Sequence, residues 1–492
     1  MNTPLRRVAM AIIGMIVLLL ANTTYIQVVK AEDYRTDARN RRVLLDEYSR
    51  PRGQIIAGGL ALANSVETGG QLRFLRSYLN GPLYAPVTGY YSLRYGSGGM
   101  ENAMDSVLNG SDARLFVRRI SDLITGRTPN GGSVELTIRP AVQKAAYEAL
   151  TRKGYTGAVV AIQPSTGEIL ALVSTPSYDP NQLASHDGTQ QQNAWTEATS
   201  QARHSPLTNR ASSAIYPPGS TFKLVVTAAA LGTGRATPDT QLTAAPAIQL
   251  QGTTTLLRNF ADQPCGGGAT VALTQALVRS CNTAFAELAT MVGENELRKQ
   301  AQLLGIGQQD LTIPIPVAPS TVGAIPDVAA LQQSGIGQRD VALTPLQNAM
   351  IAATIANNGV RMKPQLVRGI LAPDLSVLER FEPEAAERTA MTSAVAAQIR
   401  AMMVAAENSY RNDGKIAGVS IAAKTGTAEH GTDPKNTPPH GWYVAFAPAD
   451  NPQVAIAVVV EDGGDRNLEA TGGSLAAPIG RAVIAAALRG VR

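Results

Sequence analysis

The chain has 492 residues, of which 44% are hydrophobic and 16% charged, enough for a sizeable core and more than one domain and too apolar for general disorder. Its formal net charge of +5 is small for that length, and no basic tract is interleaved with aromatics, so no nucleic-acid-binding surface is indicated. Two cysteines and four histidines stand in none of the zinc-ligand spacings, so no metal is implied, and no motif calls for another cofactor.

In chain order, Arg6 and Arg7 precede an apolar stretch over residues 8–21 that resumes over residues 25–29, which suffices for a tilted span of about 20 residues. No A-x-A-like cleavage site follows. An uncleaved anchor is therefore expected over residues 8–29 in preference to a signal peptide, with residues 1–7 cytoplasmic and the rest outside. Arg35, Arg39, Arg41, Arg42, Arg50 and Arg52 are interspersed with Glu32, Asp33, Asp37, Asp46 and Glu47, and read as a solvated, partly ion-paired segment beside the membrane. Residues 30–133 are rich in Gly, Tyr and Arg without a long periodic helix, which predicts a small extended or β-rich module.

The character changes near residue 131. "SVELTI" is strand-like, "PAVQKAAYEALTRK" is an amphipathic helix opened by Pro140, and "GAVVAIQPSTGEILALVS" is a hairpin turning at Pro164 and Gly167. An Ala- and Leu-rich helical middle is expected from Ser220 to about Asn358. Strands return in "GVSIAAKTGTAE", "GWYVAFAP" and "QVAIAVVVE". In the last, Val454, Ile456 and Val458 alternate with Ala455 and Ala457 and neither face is polar, so helices should cover both faces; "SLAAPIGRAVIAAALR" is one of them. Residues 134–492 thus read as one α/β (α+β) domain, an antiparallel sheet flanked by helices.

The stretch "YPPGSTFKLVV", Tyr216 to Val226, sets Lys223 in an apolar run three residues after Ser220, and a helix beginning near Ser220 would put both on one face. Alone, Ser-x-x-Lys reads as a serine cap and a lysine snorkelling to water. Two further stretches change its weight: "VRSCNTAF" supplies Ser280 and Asn282, and "AAKTGTAEH" supplies Lys424, Thr425, Gly426 and Thr427. Three boxes in this order form the set used by serine acyl-transfer enzymes that react with penicillin. No G-x-S-x-G elbow occurs, which argues against a Ser-His-Asp hydrolase.

On these boxes, and on "GEILALVSTPSYDPN", "NRA" at Asn209, "GIGQRDVALTPLQNAMIAATIANNG", "GGSLAAPIG", "RPRGQI" and "GGMEN", the sequence strongly resembles the class B penicillin-binding proteins, monofunctional D,D-transpeptidases that cross-link peptidoglycan, most closely their A type. The resemblance implies the penicillin-binding protein and serine β-lactamase fold, with residues 30–133 as a dimerisation or pedestal-like module. "IIAGG" after "RGQ" departs from the family's Asp-Arg-Asn-Gly, and the module is short; both bear on partner docking rather than catalysis.

Each residue's chemistry fits. A serine hydroxyl needs a base to attack an amide, and Lys223 is placed to be that base if apolar neighbours and a second cation, Lys424, lower its pKa. The resemblance makes Ser220 the nucleophile, Ser280 a proton relay, Asn282 a holder of substrate amide and of Lys223, and Lys424 an electrostatic support. It gives Thr425 and Thr427 hydroxyls to the terminal carboxylate of a stem peptide or β-lactam. It makes the oxyanion hole from the backbone N–H groups of Ser220 and Thr427, and lets Gly426 admit the acyl group. His430 and His440 flank a polar loop and are expected to be exposed; lining the acceptor side of the cleft is the alternative.

Cys265 and Cys281 would lie outside the membrane, where a bridge closing a loop of roughly 15 residues is favoured over two unpaired thiols. The expected partners are peptidoglycan stem peptides, β-lactams, the membrane, and a separate glycan polymerase with division or elongation proteins. A D,D-carboxypeptidase or β-lactamase and a non-catalytic sensor or scaffold are the rival functions.

Overall fold

A computed structural model describes residues 2–30, 34, 47–116, 120, 124–125, 130–200, 204–410 and 414–489. Helix α1 (Asn2–Thr24) continues as a wider turn over Tyr25–Val29. With no part packed against the rest of the chain, it is long and apolar enough to cross a membrane. The arginine-rich segment at residues 35–42 lies outside the described residues. Arg52, read as solvated, is instead buried on Glu101.

The N-terminal module is built on strands β1 (Ile55–Ala57), β2 (Leu60–Glu67), β3 (Phe74–Tyr78) and β4 (Ser133–Leu136). Helix α2 (Pro140–Thr151) and the hairpin β5 (Gly157–Ile162) and β6 (Ile169–Thr175) follow. The helical lobe contributes α3 (Lys223–Gly232), α4 (Leu273–Arg279), α5 (Asn282–Val292), α6 (Glu294–Leu303) and α7 (Pro345–Ala356). Its Ala- and Leu-rich run is less purely helical than its composition suggests, since short strands at Gln241–Thr243, Ala247–Gln249, Leu256–Arg258 and Thr270–Ala272 interrupt it. The chain closes with β7 (Val367–Leu371), β8 (Val377–Arg380), α8 (Ser393–Ser409), β9 (Ala422–Ala428), β10 (His440–Ala447), β11 (Val454–Val460) and α9 (Gly472–Arg489).

Two sheets organise these elements. The first runs β8-β7-β4-β1-β2-β3, so the late pair β7 and β8 completes the sheet begun by the N-terminal strands, with β4 parallel to β1 and antiparallel to β7. The second runs β9-β10-β11-β5-β6, antiparallel throughout. Every residue of β11 is buried. Val454, Ile456 and Val458 pack with α2 and α9, while Ala455, Ala457 and Val459 face the helical lobe, where α7 comes close. The small side chains on that face let α7 approach, and each buried Val or Ile contributes about 1.5–3 kcal/mol. This packing leaves β9 as a free edge, and the three sequence boxes gather along it.

Candidate active site

Tyr216 is tied to Leu343 by paired backbone hydrogen bonds of 3.0 and 2.9 Å, and the chain then turns through Pro217 and Pro218 into a 3₁₀ turn, Gly219–Phe222, that runs on into α3. The helical stretch thus opens on the tighter turn rather than directly as α-helix. Ser220 sits half-buried on its second position, where backbone N–H groups have no partner within the helix. Gly219 has φ +52°, and a Cβ there would lie 2.5 Å from the Thr427 carbonyl oxygen. A Cβ on Gly426 would lie 2.9 Å from the Pro218 carbonyl oxygen. Both glycines therefore serve the close approach of β9 to the serine turn.

Lys223 opens α3 and is fully buried, with its Nζ 5.3 Å from the centre of the Phe285 ring. It donates to the Ser280 carbonyl at 2.7 Å and to Asn282 Oδ1 at 2.8 Å, with Ser280 Oγ at 3.5 Å. Lys424, also fully buried, donates to Ser280 Oγ at 2.8 Å and to the Thr425 carbonyl at 2.9 Å. One hydroxyl thus stands between two lysines. Burial pushes the Lys223 pKa well below the ordinary lysine value and the neighbouring Lys424 lowers it further. Burial alone brings Lys424 down to about 7.

Ser280 reaches this position because it is the left-handed residue that ends α4, at φ +62°. For a residue other than glycine that conformation costs about 1–2 kcal/mol. Three contacts hold it. The Cys265–Cys281 bridge anchors the next residue, with Cα atoms 5.8 Å apart. Asn259 Oδ1 accepts from the backbone N–H groups of Asn282 at 2.8 Å and Thr283 at 3.0 Å, capping α5 from outside its own sequence. Asn282 also donates through Nδ2 to the Arg258 carbonyl at 2.9 Å.

Lys424 points inward, whereas Thr425 and Thr427 are half-buried on the opposite face, as strand alternation requires. The Thr425 N–H donates to the Tyr410 hydroxyl at 3.2 Å, away from β10. Residues two apart on a strand direct their N–H groups to the same side, so the Thr427 N–H also faces the free edge, beside Gly219 and Ser220. Tyr410 and Asn259 belong to no motif. A lone asparagine or tyrosine in a loop carries no spacing signal, so sequence reasoning missed both.

The histidines depart from expectation. His440 is on β10 and buried, and the half-buried His430 ring stacks on it with centroids 3.8 Å apart and planes 4° from parallel. Asp462 Oδ1 lies 3.1 Å from His430 Nε2, and the Asp462 N–H donates to His440 Nδ1 at 3.2 Å. Tyr216 meets His440 edge-on at 5.4 Å. A polar loop segment is drawn inward because the sheet end offers these rings a face to stack on. His430, His440 and Asp462 bring three potential ligand atoms within 4.8 Å of one another, but the parallel, face-to-face rings do not aim their nitrogen lone pairs at a common point.

Residues 157–485 match the family described as penicillin binding protein transpeptidase domain. The chain belongs to the penicillin-binding protein transpeptidase family. Residues 52–134 match the penicillin binding protein A dimerisation domain. The chain is 59% identical to the peptidoglycan D,D-transpeptidase PbpA of Mycolicibacterium smegmatis over 99% of both chains. It is 56% identical to PbpA of Mycobacterium tuberculosis over the full length of both. The solved penicillin-binding protein A of M. tuberculosis, as a ceftriaxone acyl-enzyme complex, superposes with a TM-score of 0.88 at 56% identity over 90% of this chain and 100% of that one. The same protein has also been solved as a penicillin G acyl-enzyme, with a TM-score of 0.86.

Proposed function

We propose that this penicillin-binding protein is a membrane-anchored peptidoglycan D,D-transpeptidase whose nucleophile is Ser220. The observation that carries the residue assignment is the hydrogen bonding of the buried Lys223. A neutral amine has two hydrogens and one lone pair, and both hydrogens have acceptors in the Ser280 carbonyl and Asn282 Oδ1. The lone pair is left for the Ser220 hydroxyl, three residues back on the same helical face.

In the first step the Ser220 Oγ–H proton passes to Lys223 Nζ as Oγ bonds to the penultimate D-Ala carbonyl carbon of a donor stem peptide. The oxyanion is met by the N–H groups of Ser220 and Thr427. Because Ser280 Oγ accepts from Lys424, its own O–H is free to pass a proton onward. The proton travels from Lys223 through Ser280 to the departing amine as the C–N bond breaks and D-Ala leaves. In the second step the amine of a neighbouring strand attacks the ester, its proton returns along the same path, and Ser220 is restored. A β-lactam enters the first step and stops there, since its leaving amine stays tethered. Thr425 and Thr427 are the proposed carboxylate hydroxyls, Lys424 their electrostatic support.

The anchor is proposed to hold residues after 30 outside the membrane, and the partner proposed is a separate glycan polymerase of the division or elongation machinery. Intact mass after penicillin G, on the native chain and on Ser220→Ala, tests the nucleophile: an adduct on the alanine variant ends the assignment. Product analysis with a donor pentapeptide, with and without an acceptor amine, separates transpeptidation from hydrolysis. Free acid alone in the presence of acceptor would make the chain a carboxypeptidase.

A further inference from the structure

A cavity of about 620 Å³ lies between α6, the loop around Asp310, and a two-chain ribbon in which residues 361–363 run beside residues 384–386. None of the catalytic residues lines it. Four cations do, Lys299, Arg361, Lys363 and Arg388, against two acids, Asp310 and Glu387, with Lys363 also ion-paired to Glu384 and Lys299 lying 3.9 Å from Glu296.

Arg361 is the unusual member. Its guanidinium is seated against Gly305, which has φ +89° and where a Cβ would lie 3.0 Å from Nη1. The backbone is held by the Ala386 N–H, which donates to the Arg361 carbonyl at 2.8 Å. Yet Nε is shielded from solvent with no hydrogen-bond partner among the described residues. Nη1 has only a long contact, 3.4 Å, to Gln308 Oε1. The deeply buried arginines, Arg52, Arg76, Arg210 and Arg481, each hold a carboxylate at 2.6 to 2.9 Å, whereas Arg361 is only half-buried. Among the described residues Arg361 has no carboxylate partner, and burial lowers its pKa, as expected for a cation short of a counter-charge. A half-buried guanidinium with no carboxylate partner, at the base of a cavity lined by cations, offers its terminal N–H groups to an anion such as phosphate.

We propose that this cavity is an anion site that takes a phosphate group, with Arg361 as its floor and Lys299, Lys363 and Arg388 around its mouth. An adjoining cavity of about 350 Å³ shares Thr312, Lys363 and Pro364; Met104, Ile313, Val367 and Phe381 give it an apolar wall with room for an apolar substituent on that phosphate, and Glu382 and Glu384 also line it.

The test uses the full chain in a non-ionic detergent, with inorganic phosphate and octyl phosphate as probes, read by calorimetric titration. Saturable binding is expected for both, weakened at least about tenfold in Arg361→Gln, as for loss of charged hydrogen bonds. Tighter octyl phosphate points to an amphiphile and equal affinity to a free phosphate; either outcome supports the site. If Arg361→Gln does not fold, the exposed pair Lys299→Gln and Arg388→Gln takes its place and should weaken both probes and flatten their salt dependence. The idea falls if neither probe saturates, if citrate binds where phosphate does not, or if binding survives these substitutions unchanged. Penicillin acylation of the same samples should be unaffected in every variant, so failure here leaves the transpeptidase reading intact.

Discussion

Two buried charge clusters in this molecule solve opposite problems. In the N-terminal module Glu101 is fully buried and meets Arg52 and Arg76 at 2.6 Å each, with the Tyr78 hydroxyl at 3.2 Å. Burial would raise the Glu101 pKa, but the two arginines outweigh it and the net shift is downward. In the candidate active site two lysines are fully buried around one serine hydroxyl, and both are displaced toward the neutral form. Opposite charges close on each other and lock a scaffold; like charges brought together surrender a proton, and a lysine without its proton is a base.

The largest effect that would sharpen this contrast is Ser220→Ala, which should abolish β-lactam labelling with no change in melting temperature; a joint loss of both would make the serine turn structural. Glu101→Gln should do the reverse. Breaking a buried pair costs about 3–5 kcal/mol, so the melting temperature should drop sharply while acylation of the folded fraction keeps its rate. A loss below about 1 kcal/mol, as for exposed pairs, would mean the cluster is solvated after all.

The Cys265–Cys281 bridge belongs to the scaffold although it sits beside Ser280. Its reduction should cost about 3 kcal/mol, as for a loop of roughly 15 residues. Counting thiols on denatured, unreduced protein from an oxidising compartment checks it, and two free thiols would exclude the bridge. Lys223→Ala should slow acylation at least about a hundredfold, the scale of a lost general base, worth about 2.7 kcal/mol of barrier. Near-normal rates would mean another group takes the proton.

The smallest predicted effect is in pH. With Lys223 as the proposed base, acylation requires it neutral, and the rate should fall as pH drops through the Lys223 pKa. Lys424→Met removes a cation that lowers that pKa, and the acidic limb should move to higher pH. Stability has its own sign. The folded Lys424 pKa of about 7 lies below that of an unfolded lysine, about 10.4. Between these values the unfolded chain binds more protons, so Lys424 lowers stability as pH falls across the interval, and Lys424→Met should flatten that slope. An unmoved limb would show that the two lysines do not sense each other.

The sequence by itself marked the candidate site residues. Ser220, Lys223, Ser280, Asn282 and Lys424 stand in short local motifs, because a helix turn or a left-handed cap places neighbours in chain as neighbours in space. It also determined the five-stranded catalytic sheet, whose apolar runs and large-small alternation in β11 record which faces are covered. Only the tertiary structure decided what joins the motifs. Lys424 comes within reach of Ser280 because β9 packs against the serine turn, an approach that Gly219 and Gly426 allow without announcing it. The same holds for β7 and β8, which finish a sheet begun some three hundred residues earlier, for Asn259 capping a helix from outside, and for His430 stacked on His440. Each is a contact between distant segments with no periodicity to betray it, chosen because burial leaves polar groups that must find partners wherever the folded chain supplies them.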